Sequence, residues 1–167
     1  MWEILASAEA ALPALLNDPA GWRSLDINYH PPRVERLFRP WGEGGRLSLH
    51  RVHPCPLDSA LFHPHPWPSA MRIVSGSYRM IVGYGAGVEQ PPVAMTLELT
   101  AGARYAMVDP DAWHAVVPQG QPSLSIMVTG QPWARPVPLE PGGPLHALEP
   151  AAVAELLATF EGYYPLR

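Results

Sequence analysis

His63-Pro64-His65-Pro66-Trp67-Pro68 is the stretch on which the reading of this chain turns. Successive side chains of an extended segment point to opposite faces, so His63 and His65 project together to one side. The prolines at 64, 66 and 68 hold φ near an extended value and withhold their backbone donors, which stiffens the segment that carries the pair. Two imidazoles fixed on one side can hold a metal. An apolar alternating segment runs on to Gly76, and a later strand-like run leads to His114.

Outward from this stretch, 22 prolines and 14 glycines break the chain into short pieces everywhere except near its ends. Short pieces punctuated by turn signals predict an all-β sandwich or barrel. Val93 to Thr100 alternates at strict period two and reads as the clearest strand; Ser123 to Thr129, closed by Gly130, repeats the pattern. Arg46 to His53 sets Leu47 and Leu49 against Ser48, His50 and Val52. Met71–Val74 and Tyr78–Tyr84 flank Ser75-Gly76-Ser77 as a predicted hairpin.

Helices are expected only at the periphery. Ile4, Leu5, Ala8, Leu12, Leu15 and Leu16 recur at helical spacing between Trp2 and Leu16, with Pro13 as a kink. A second helix should begin just after Pro150, where Val153, Leu156, Leu157 and Phe160 form one apolar stripe for the barrel exterior or a partner subunit. The expected organisation is one domain over 1–167. It comprises an N-terminal helical segment over 1–20, a barrel over 46–135 and a C-terminal helix over 150–161. The sequence has no internal repeat, and the one Pro/Gly-rich linker runs from Gln131 to Pro144.

Composition removes several function classes. A net charge of −4 gives no basic excess to neutralise phosphates, which argues against nucleic acid as a partner. No apolar run approaches the roughly 20 residues that cross a bilayer, and Met1-Trp2-Glu3 lacks the basic start of a secretory signal. A cytoplasmic protein without membrane partners is therefore expected. All 11 basic residues are arginines, which excludes Schiff-base and pyridoxal chemistry and the lysine-dependent phosphate loop. Cys55 is the single cysteine, so neither an intrachain disulfide nor a Cys-rich zinc site can form. Any metal must be held by histidine or carboxylate.

With these residues in place, the chain resembles the cupins, small β-barrels of jelly-roll type. Their first motif carries His-x-His, then a glutamate, then a glycine, and His63, His65 and Gly76 fall at matching positions. Their second motif runs from a glycine through a proline to a histidine and an asparagine; Gly102 and Val108-Asp109-Pro110-Asp111-Ala112-Trp113-His114 look like a degenerate copy with one extra residue. The chain is also similar to a group of small bacterial cupins with L-H-R, H-x-H-P-W and a strand ending in T-G. Here those elements read Leu49-His50-Arg51, His63 to Trp67, and Ser125 to Gly130. The resemblance covers about residues 46 to 135 and implies a jelly-roll barrel with peripheral helices.

The departures carry meaning too. Ser69 stands where the motif has its glutamate, with Ala70 at the alternative spacing, and Pro118 stands at the asparagine position. The resemblance therefore implies a metal set of three histidines, His63, His65 and His114. That set resembles thiol (cysteine dioxygenase-like) and diketone-cleaving dioxygenases, with coordination positions left open for substrate and oxygen. Imidazoles alone suit iron, nickel, copper or zinc and do not choose among these divalent metals. His50 is a possible fourth ligand, a partner fixing a tautomer, or a plain structural residue. Trp67 has the parity to wall the site.

Tyr78, opening the next strand, is expected to bring a phenol near an open metal position. Arg51, Arg72 and Tyr105 are substrate-binding candidates by location. His30, His53 and His146 read as ordinary polar residues, and Cys55, flanked by prolines, as inert. The function expected on this basis is a metal-dependent dioxygenase acting on a small organic molecule. The alternative is a non-catalytic small-metabolite-binding cupin. A nucleotide-sugar epimerase would need a His–Asp pair such as His114 with Asp109 or Asp111, and ranks last. A homodimer is expected, through the stripe from Val153 to Phe160 with Tyr163 and Tyr164.

Overall fold

Period-two alternation and frequent turn residues give a molecule dominated by antiparallel strands, seen in a computed structural model that describes residues 1–87, 89–134 and 144–166. The strands are β1 (Arg23–Ile27), β2 (Val34–Trp41), β3 (Gly45–Val52), β4 (His63–Pro64), β5 (Ser69–Ser75), β6 (Ser77–Tyr84), β7 (Val93–Thr100), β8 (Arg104–Met107), β9 (Ala112–Pro118) and β10 (Ser123–Thr129). Two helices, α1 (Trp2–Leu16) and α2 (Pro150–Tyr163), flank them. A six-stranded sheet has the order β1-β2-β3-β10-β5-β8, and a four-stranded sheet faces it with the order β4-β9-β6-β7. This is an all-β jelly-roll arrangement with helices at the chain ends.

The largest core cluster lies between the six-stranded sheet and the helices. Leu37, Leu47, Leu49, Ile126 and Val128 from β2, β3 and β10 meet Leu5, Leu12 and Leu16 of α1 and Leu156, Leu157 and Phe160 of α2. Helix α1 spans the expected residues, and Asn17 closes it by donating from Nδ2 to the Pro13 carbonyl at 2.9 Å. Helix α2 starts with Pro150 at its first position, where the missing backbone donor costs nothing. Its apolar stripe is buried within the same chain, each large side chain contributing about 1.5–3 kcal/mol. No helix among the described residues is long and apolar enough to cross a membrane.

Two sequence expectations change. Strands β1 and β2 join the six-stranded sheet, so the sheet begins at Arg23, well ahead of residue 46. Its expected end at residue 135, and 135–143 of the Pro/Gly stretch, lie outside the described residues. The predicted hairpin around Ser75-Gly76-Ser77 is a corner instead. β5 belongs to the six-stranded sheet and β6 to the four-stranded one. Gly76 makes the corner with φ of 78°, and a Cβ there would meet the Ser123 Cα at 3.1 Å. β7 is the strand expected over Val93 to Thr100; it pairs only with β6 at a sheet edge, leaving Val93 57% exposed.

Candidate metal centre

The cross-strand register places His63 of β4 directly opposite His114 of β9, and β9 is held in turn by β6. His65 follows two residues after His63, so its ring returns to the same side. Ring centroids are 5.0 Å apart for His63 and His114, 4.6 Å for His65 and His114, and 5.4 Å for His63 and His65. One nitrogen from each of the three lies within 4.8 Å of the others. The local cause is the proline-stiffened segment, and the tertiary cause is the short β4–β9 ladder that brings it to His114.

Hydrogen bonds orient two of the rings. His63 donates from Nδ1 to the Leu61 carbonyl at 3.1 Å, which leaves the Nε2 lone pair free. His65 Nδ1 lies 3.1 Å from the Ser69 hydroxyl, and its Nε2 faces His114 Nε2 at 2.9 Å. Burial pushes all three imidazoles toward the neutral form. His63 falls to about 4, chiefly through burial, with His30 and Arg36 adding to the fall against the Leu61 carbonyl, which favours the charged ring. His65 falls to about 3 through burial, then His63 and Arg36. His114 is held well below the ordinary value by burial and the other two rings. Neutral imidazoles keep lone pairs available near neutral pH.

The donor set fits a transition metal. His114 Nδ1 is buried with no partner whichever nitrogen carries the proton. With the proton on Nδ1, the Nε2 lone pairs of His65 and His114 converge without a hydrogen between them, an arrangement a cation favours and two bare acceptors do not. Three imidazoles and no carboxylate suit iron, nickel, copper or zinc better than calcium or magnesium.

No family model matches the chain, and no curated protein matches it. Solved structures do. FeII HppE in complex with substrate aligns with a TM-score of 0.52 at 15% identity, over 67% of this chain and 58% of that chain. Hydroxypropylphosphonic acid epoxidase from S. wedmorenis gives 0.50 at 16% identity, over 67% and 56%. An RmlC-like cupin from Shewanella frigidimarina NCIMB 400 gives 0.49 at 16% identity, over 69% and 87%. The chain spans about half the length of the first of the HppE structures it matches, 49% of that chain. The likeness to the HppE structures is one of fold, an all-β jelly-roll barrel.

In this barrel the other sequence-predicted residues separate into two groups. Trp67 lies beside His65 with ring centroids 6.4 Å apart, and its buried Nε1 has no acceptor. Tyr105 lies beside His114 at 6.4 Å. Tyr78 is one step further out: its hydroxyl donates to the Tyr105 oxygen at 2.9 Å, and Tyr105 donates to the Met71 sulfur at 2.7 Å. Burial holds both phenols above their ordinary range, so they stay protonated. His50 stands apart from the three-ring cluster, because its Nε2 accepts the Arg36 Nε–H at 2.9 Å.

Arg51 and Arg72 point away from the barrel interior. Arg51 pairs with Glu35 at 3.2 Å and with Glu155 of α2 at 2.9 Å, and Arg72 pairs with Glu9 of α1. Each is a strut between sheet and helix. The physical reason is parity: both alternate with residues on the barrel face and so share the helix-covered face. His53 sits at the end of β3 against Glu35 at 3.1 Å. Asp109 takes the Asp111 amide at 2.9 Å as a turn residue. Burial raises the Cys55 thiol, consistent with an inert side chain. Two residues were missed from sequence, Ser69 and Arg36. Ser69 is noticeable only as the absence of a carboxylate, and Arg36 only once Val34 to Trp41 is read as a strand.

Proposed function

We propose that the protein is a metal-dependent enzyme of dioxygenase type acting on a small organic molecule. The observation that carries this reading is the three-histidine cluster with a serine where a carboxylate ligand would stand. His63, His65 and His114 would hold the ion. When bound there, a redox-active divalent metal supplies open coordination positions and one-electron chemistry toward dioxygen. The Leu61 carbonyl and the Ser69 hydroxyl orient His63 and His65, the role such outer contacts play at metal sites. Tyr105 offers a protonated phenol beside His114, and Tyr78 positions that phenol through their shared hydrogen bond. Trp67 walls the site and excludes water from it.

We further propose that the protein works in the cytoplasm as a homodimer. Of the residues expected at the dimer contact, Leu156, Leu157 and Phe160 are buried inside the protomer and Tyr163 is exposed. A second reading, a small-metabolite-binding cupin without turnover, is favoured by the buried Trp67 Nε1, a donor with no acceptor among the described residues. Elemental mass spectrometry on untagged protein, beside a His63→Ala/His65→Ala variant, tests the metal. Near-stoichiometric iron, nickel or copper lost in the variant is expected, followed by oxygen uptake with candidate substrates. Folded protein that takes up no metal even on supplementation would overturn the proposal, and ligand-dependent stabilisation without oxygen uptake would favour the binder.

A further inference from the structure

Six arginines end in ion pairs: Arg33, Arg39, Arg51, Arg72, Arg79 and Arg104 each meet an aspartate or glutamate. Arg36 and Arg46, like the exposed Arg23 of β1, meet none among the described residues. Arg36 and Arg46 lie on the barrel side of the six-stranded sheet. Arg36 of β2 is registered with His50 of β3, and His50 with Ser125 of β10; Phe38 is registered with Ser48, and Ser48 with Met127. That row contains no carboxylate. Arg36 is partly buried, and its field reaches His63 and His65. Arg46 is at the rim, its guanidinium 5.5 Å from the Phe38 ring centroid and 6.0 Å from that of Trp67.

Burying a guanidinium without a counter-ion is costly, and a second one nearby adds to the cost. The two effects lower Arg36 to about 10, burial first and Arg46 second. The Arg36 Nε–H is already committed to His50 at 2.9 Å, and no acceptor among the described residues takes its Nη hydrogens. What remains is the end-on edge of the guanidinium, two parallel donors that match the two oxygens of one carboxylate. The buried Trp67 Nε1 is likewise a donor without an acceptor. An interior that presents donors and positive charge calls for an acceptor-rich anion.

We propose that the barrel interior binds a small organic carboxylate on the end-on edge of Arg36, with Arg46 at the mouth drawing anions in. The inference rests on the reading of the His63/His65/His114 barrel as the working site and names the class of molecule it takes. His50 is a positioning residue in this scheme, fixing the guanidinium from behind through Nε2.

The test is titration calorimetry at low ionic strength with butyrate, succinate and benzoate, and with butyramide and benzamide as neutral counterparts. It is run on the protein as purified and after chelator treatment, with metal content measured on the same samples. At least one carboxylate should bind, its amide about tenfold or more weaker, and Arg36→Gln should lose about tenfold or more while Arg79→Gln retains wild-type affinity. The proposal is overturned if no carboxylate binds either preparation, if amides bind as well as acids, or if Arg36→Gln leaves affinity unchanged. Should Arg36→Gln not fold, the acid-against-amide comparison in wild-type protein still decides. Carboxylate binding by protein that takes up no metal would sustain this inference and sink the metalloenzyme reading. Metal uptake without preference for acids over amides would do the reverse.

Discussion

The two faces of the six-stranded sheet are built from the same strands and have opposite chemistry. The helix-covered face carries Leu37, Leu47, Leu49, Ile126 and Val128, and its charged groups are paired: Glu35 accepts from Arg51 at 3.2 Å, and Glu9 of α1 holds both Arg72 and Arg104. The barrel face, one residue out of phase, carries Arg36, Ser48, His50 and Ser125 and looks toward the histidine cluster. Buried polar atoms there lack partners, Ser125 Oγ among them. Apolar burial and complete ion pairing stabilise the fold from one side. The other side holds most of the unpaired donors and lone pairs that a ligand or metal needs, although Arg72 Nε on the helix side is also buried without a partner. A single step along β2, from Glu35 to Arg36, crosses from one to the other.

Substitutions on each face should therefore separate stability from binding. Phe160→Ala, which empties the helix side, should cost about 3–5 kcal/mol in denaturant unfolding while metal per folded molecule is unchanged. Loss of metal in that variant, with the fold intact, would break the division. Glu35→Gln should cost about 2 kcal/mol, because the Arg51 and His53 contacts of a buried carboxylate are weakened together. Ser69→Ala should do the opposite: unfolding shifts little, and metal affinity measured by competition with a chelator falls about tenfold as His65 loses its orienting hydroxyl. The smallest effect is expected at Arg79→Gln, whose exposed pair with Glu98 should be worth no more than about 0.5 kcal/mol and leave metal content unchanged.

Local patterns made much of this legible. Helix α1 occupies Trp2–Leu16 as its apolar spacing predicts, since a helix is closed by contacts between near neighbours in sequence. The convergence of His63 and His65 followed from two-residue parity and proline stiffness. Parity alone does not say which face of β3 and β5 the helices cover, so location in the sequence points Arg51 and Arg72 to the site, whereas in the fold they brace Glu155 and Glu9. The turn at Gly76 was visible, but a turn does not state whether its flanking strands share hydrogen bonds or part into two sheets. β7 makes the same point from the other side: its alternation is the cleanest in the chain, yet Met95 is 46% exposed because an edge strand is covered by whatever happens to lie over it.

The sequence by itself determined the all-β character, the terminal helices, the jelly-roll resemblance and the stiff His-x-His segment, because each depends on residues within a few positions of one another. Tertiary structure alone decided that His114 lies opposite His63, that Ser69 serves His65, that Tyr105 stands between Tyr78 and His114, and that Arg36 faces the cluster without a counter-ion. Those relations join residues far apart along the chain, and strand register and sheet closure, which set them, are properties of the whole barrel.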